Sequence, residues 1–313
     1  TRGSGSERAV NWWCASSAAT WTWDWQPYLG ALAIVASVIA VAIWWTVRGR
    51  HTDPLLAAQA GLAEAAAAHG RELHTDVAGS SRGRTVALVF GVIGLWAVLD
   101  WPLAALGAGY LATAQMARQI IMVMVVAPLL LFACPPALAV RVVGWGRGLT
   151  VLRWTARPRF AVPVAAVTLI VVNAPAIVDP LLAQPFSSFL MDLLWTIAGF
   201  VLWMPVQCPH PGVRRLTGPA ALGYLIAQSI VPVLPGFFMT WADFPIYSTY
   251  ELAPRVVDDF DAVIDQQTAA AVLQVGGMVL LWVQIAYRFL TWGYAQMAED
   301  RAGSRALSDA GLR

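Results

Sequence analysis

The stretch "LATAQMARQIIMVMVVAPLLLFAC", Leu111–Cys134, decides the fold class. As a helix rising 1.5 Å per residue it crosses the roughly 30 Å hydrocarbon layer of a bilayer. Yet Arg118 stands in its first half, with Gln115 and Gln119 on either side. Gln115, Arg118, Gln119 and Met122 are three or four residues apart and share one helical face. A charged side chain at membrane depth costs about 2.5–3.5 kcal/mol on insertion scales and demands a partner. Finding that partner organises the rest of the sequence.

Apolar residues make up 58% of the 313-residue chain and charged residues 12%, with mean hydropathy +0.62. An ordinary soluble domain carries about 25% charged residues, so this composition describes an integral membrane protein. The net charge of +2 argues against a nucleic-acid partner. All 20 basic residues are Arg. With no Lys, a Schiff-base retinal protein is excluded. Three scattered cysteines, Cys14, Cys134 and Cys208, make no disulfide framework. Beginning with Thr rather than Met, the chain is expected to have a processed N-terminus, and no charged-plus-apolar signal precedes Tyr28.

Seven windows reach or approach the length of a membrane span, at about 28–47, 85–103, 111–134, 160–178, 186–206, 219–241 and 268–291. The expected fold is therefore all-α and polytopic, with seven transmembrane helices over 28–295. An external segment 1–27 precedes them and a cytoplasmic tail 296–313 follows. Arginines crowd alternate loops (Arg48 and Arg50, Arg141 to Arg159, Arg214 and Arg215, Arg301 and Arg305). The other loops hold Asp100, Asp179, Asp243, Glu251 and Asp258 to Asp265. Positive charge stays in the cytoplasm, which places the N-terminus outside and the C-terminus inside. Trp12, Trp13, Trp21, Trp23 and Trp25 are expected to form a belt in the outer headgroup layer. The Ala-rich stretch 54–69 is expected to form a short helix.

Depth arithmetic then gathers the polar residues. Arg118 lies about 10 Å below the outer end of its span at 1.5 Å per residue. Asp100, Asn173, Asp192 and the run Asp265, Gln266, Gln267 fall in the same outer half. They are expected to converge, with Arg118 paired to Asp192 or Asp100. The candidate cluster is Gln115, Arg118, Gln119, Asn173, Asp192, Asp265 and Gln266. Such a network serves helix packing or an outer-leaflet site, and both remain open at this point.

Four stretches carry a resemblance over most of the chain. "QMARQIIMVMVVAPLLLF" (115–132) resembles the pattern HMxQHMLLMxxAPLL, and "VNAP" (172–175) resembles WHxP. "MDLLWTIAGFVLWMPV" (191–206) resembles EHLxFLxAGLLFWWPV. "WADFPIYSTY" with "DQQTAAAVLQVGG" resembles FxDxPLYxxY and DQQxAGLxMWxPGG. Together they resemble the CtaG-type cytochrome c oxidase assembly factors, seven-helix membrane proteins of bacteria. The resemblance implies copper delivery through intramembrane histidines, since imidazole and thioether suit Cu(I). Here those histidines are replaced by Gln115, Gln119, Asn173 and Asp192, and Arg118 stands where the family has Gln.

A permanently charged guanidinium repels a metal cation and instead hydrogen-bonds Gln, Asn and Asp. No metal or other cofactor is therefore expected, the alternative being copper held by Met116, Met122 and Met124. The leading expectation is a non-catalytic accessory or structural subunit in the bacterial cytoplasmic membrane. Its partners would be lipid and a larger respiratory or otherwise bioenergetic complex. The alternatives are an active copper chaperone, and a transporter or receptor using the outer polar pocket. No nucleophile–base pair, phosphate loop or haem-ligating His pair points to an enzyme.

Overall fold

A computed structural model describes residues 12–48 and 81–309. Every regular element among these residues is helical. Six helices are long and apolar enough to cross a membrane, at Leu29–Val47, Arg82–Leu99, Ala112–Ala133, Pro185–Gln207, Gly218–Trp241 and Ala262–Ala298. Between the third and fourth of these, Pro158–Val171 and Pro175–Leu182 form a pair bent by 68°. Counted as one span, the pair completes seven. Loops gather alternately at two ends. At one, Arg153 Nε donates to Gly212 O at 2.8 Å. At the other, Asp179 accepts from the backbone and hydroxyls of Ser248 and Thr249 at 2.8–3.1 Å. These are called the arginine end and the acidic end below.

The breaks in spans four and six follow from missing backbone donors. In span four, Asn173 Nδ2 back-bonds to Leu169 O at 2.6 Å, and Pro175 restarts the chain as the first residue of a new helix. Span six breaks between Gln228 and Val233, around Pro232. Span three changes to π geometry over Ile121–Val126, and span seven does so over Val272–Gly276. A π turn rotates and frees backbone carbonyls. In span three the Trp203 indole donates to Val123 O at 2.8 Å, which supplies such a group with a partner.

Several boundaries differ from the sequence expectation. Span two ends at Leu99, not 103, because Pro102 cannot continue its hydrogen-bond ladder. Span seven starts at Ala262, not 268, because Asp261 caps it by accepting from Val263 N and Ile264 N at 2.9 and 2.8 Å. The helix that ends span seven runs on to Asp309, so much of the expected tail is helical. The expected helix at 54–69 lies outside the described residues.

The N-terminal segment is not a uniform tryptophan belt. Trp12, Trp23 and Trp25 are exposed, but Trp13 is 1% exposed. Residues 12–28 run without regular structure across the acidic end. Gly30 N donates to Trp12 O (2.8 Å), Ser16 N to Leu182 O (2.9 Å) and Tyr110 OH to Ala19 O (2.9 Å). Tyr28 N donates to Asp100 Oδ1 at 3.2 Å. Gly30 is required here, since a Cβ would stand 2.8 Å from Trp12 O and 2.9 Å from the Trp13 ring. The segment forms a strap over the helix ends.

Candidate functional site

Arg118 is fully buried, and each guanidinium nitrogen has a partner. Nη2 is shared between Asp192 Oδ1 at 2.9 Å and Oδ2 at 2.8 Å. Nη1 donates to Gln115 Oε1, one turn earlier on the same face, at 2.8 Å. Nε donates to Val98 O at 2.9 Å. The last contact has a simple origin. In a continuing helix the Val98 carbonyl would accept from residue 102, but Pro102 has no N–H. The guanidinium supplies the missing donor and places its charge at the negative end of the helix dipole of span two.

The rest of the shell comes from the strap and from span five. Trp13 Nε1 donates to Asp192 Oδ2 at 3.0 Å. The Cys14 thiol lies 3.8 Å from Arg118 Nη2 and 3.7 Å from Ser188 Oγ. The Trp195 ring sits one turn beyond Asp192, with its centroid 5.6 Å from the guanidinium carbon. Gln115 Nε2 donates to Met191 Sδ at 3.4 Å. Gly107 leaves room for all this: a Cβ there would stand 2.7 Å from Arg118 Cδ and 2.8 Å from Gln115 Oε1. The Gly107 carbonyl is in turn held by Tyr250 OH at 2.7 Å. Burial pushes the Tyr250 hydroxyl well above the usual tyrosine range, so it stays a donor at physiological pH.

Burial likewise pushes the Cys14 thiol up to about 11, against the opposing effect of Arg118. The thiolate is the reactive form. In the folded protein at pH 8, alkylation of Cys14 is therefore expected to be more than about 100-fold slower than that of a free cysteine. Trp13→Ala, which opens the strap, restores labelling; peptide mass mapping reads both.

The polar residues expected to form one cluster divide into three groups. Gln115, Arg118 and Asp192 meet as described. Asp100 does not join Arg118, because it accepts Tyr28 N and the Trp96 indole (2.9 Å) instead. Gln119 and Asn173 line a separate cavity of about 30 Å³. There, Gln119 Oε1 and Asn173 Oδ1 are both buried without a hydrogen-bond partner. The cavity is large enough for one or two waters. Of Met116, Met122 and Met124, only Met124 lines it.

Asp265 and Gln266 form the third group, and their work is capping. Span three starts after Leu111, which has no side chain able to cap a helix. Asp265 reaches across from span seven and accepts from Ala112 N at 2.6 Å and Thr113 N at 3.0 Å. A carboxylate at a helix N-terminus also meets the positive end of the dipole. Gln266 Oε1 accepts from Ile246 N at 2.7 Å, and its Nε2 donates to Met239 O at 3.1 Å near the end of span six. Gln267 is exposed.

The family model for the cytochrome c oxidase caa3 assembly factor (Caa3_CtaG) matches residues 65–294. The chain belongs to this family. No curated protein and no solved structure matches the chain significantly. Within the family frame, the four positions where the resemblance places histidines fall in two places. Gln115 and Asp192 hold Arg118, and Gln119 and Asn173 face the small cavity.

The half of this set around Arg118 does not fit a copper ion. The acceptors nearest Arg118 already hold a fixed cation, and a second positive charge at that distance would be repelled. The sulfur of Met191 accepts a hydrogen bond from Gln115. Among the described residues, no three His, Cys, Asp or Glu side chains are grouped to hold a metal.

Sequence reasoning missed Trp13, Cys14, Gly107 and Tyr250 as parts of the site. The tryptophans carried a signal for an interface and none for depth. Tyr250 lay in a quoted motif, but its partner is a backbone carbonyl, which no sequence pattern marks.

Proposed function

We propose that this chain is a non-catalytic, copper-free member of the assembly-factor family. It acts by binding a larger membrane complex, respiratory or otherwise bioenergetic, in the bacterial cytoplasmic membrane. The observation that carries this reading is the Arg118 guanidinium, fully buried and paired with Asp192, at the centre of the family's polar motifs. An ion-pair core fixes the packing of the bundle by specific hydrogen bonds, where a metal carrier needs open ligands. The strap argues in the same direction, since Trp13 and Cys14 close the acidic end over the pair. A transporter or receptor would need that end open to a ligand.

The test joins two measurements on protein purified from its native membrane in mild detergent. A stoichiometric membrane-protein partner is expected to co-purify, and elemental analysis is expected to show no retained copper after exposure to Cu(I) and desalting. Stoichiometric copper that disappears in Met122→Leu or Met124→Leu would replace this reading with that of a copper chaperone.

A further inference from the structure

Arg288 lies inside span seven and is not part of the Arg118 site. Its Nε is buried with no hydrogen-bond partner. Its one hydrogen bond is long, from Nη2 to Gln207 Oε1 at 3.5 Å. Among the described residues, no carboxylate pairs with it; the ion pair found there is Arg118–Asp192. Arg215 is held next to Arg288 and Gln207: its Nε donates to Cys208 O, one residue past Gln207, at 2.6 Å. A guanidinium has five donors and no acceptor, so Arg288 is a cation with most of its hydrogen-bonding capacity unused.

Its level in the membrane is fixed by its neighbours. Gln207 is the last residue of span five. One turn beyond Arg288, the Trp292 indole packs on Gly218, the first residue of span six. Tyr287 and Tyr294 are exposed on either side. Aromatic rings of this kind mark the headgroup layer. Toward the membrane centre, span seven is apolar and exposed at Val279, Trp282 and Val283. The position thus combines a cation at phosphate depth with a greasy wall beneath it.

We propose that Arg288, with Arg215 and Gln207 beside it, binds the phosphate of an anionic lipid headgroup at the arginine end. Guanidinium matches phosphate oxygens with paired N–H donors, and basic pockets between spans hold such headgroups. The lipid phosphate supplies the anion that the polypeptide does not. The site is independent of the function proposed above.

The experiment uses the full chain, delipidated and then offered an equimolar mixture of phosphatidylglycerol and phosphatidylcholine, with bound lipid counted by native mass spectrometry. Wild-type protein is expected to retain phosphatidylglycerol about 5-fold over phosphatidylcholine, the equivalent of about 1 kcal/mol for one basic residue near the surface. Arg288→Gln is expected to abolish that preference and Arg288→Lys to keep part of it. Millimolar inorganic phosphate is expected not to displace the lipid. If it does so completely, the lipid assignment falls to a soluble anion. Equal retention of both lipids by wild-type protein overturns the proposal, even if Arg288→Gln fails to fold. An unchanged preference in a folded Arg288→Gln overturns it as well.

Discussion

Asp192→Ala is expected to lower the stability of the bundle by about 3–5 kcal/mol, the usual effect of stranding one member of a buried ion pair. The substitution leaves the Arg118 charge without a counter-ion and takes the partner from the Trp13 indole. Removing both charges is a different matter. Buried ion pairs replaced by apolar side chains of similar size are often neutral or stabilising, because desolvation of both charges is no longer needed. Arg118→Met with Asp192→Leu should therefore recover much of the loss. Recovery will be incomplete, since the Val98 carbonyl loses the donor that stands in for Pro102. Denaturant titration of Arg118→Met, Asp192→Leu and the double variant gives the coupling directly. Strict additivity would show that the two charges do not act as a pair.

The second large effect is expected at Asp265. Asp265→Ala leaves Ala112 N and Thr113 N, at the start of span three, without their acceptors. An unsatisfied buried donor costs about 1–3 kcal/mol, so a loss of about 2–6 kcal/mol is expected for the two. Asp265→Asn keeps one acceptor oxygen and should lose about half as much. The loss should also be local, with faster hydrogen exchange at the first turn of span three and little change in span two. Uniform acceleration across all spans would contradict the capping role.

The helical class and the location of the spans were legible because both depend on composition along the chain. A run of apolar residues long enough to span 30 Å reads the same whatever surrounds it. A break caused by Pro, as at Pro175 in span four, is written in the sequence itself. The counter-ion of Arg118 was legible to within two candidates, because depth could be counted from the ends of the spans.

Depth does not give rotation, however. Gln119 lies one residue beyond Arg118 and at nearly the same level, yet it faces a different cavity with Asn173. Asp265 is at a suitable depth, yet it turns to the start of span three. Capping by a residue from another span leaves no local signature, because the usual signal is a polar residue at the helix start itself. Leu111 at that position hid the cap supplied by Asp265. Arg288 escaped notice for a different reason: it lies in the half of the bundle where no polar cluster was sought.

The strap also sets an order on biosynthesis. Trp13 is made before the carboxylate it binds, which follows 179 residues later. At about 5–20 residues per second, the ribosome needs on the order of 10–40 s to deliver that partner. During this interval an indole and a thiol destined for the interior wait in water or at the lipid surface. Closure of the acidic end is thus a late event, possible only after span five has been inserted.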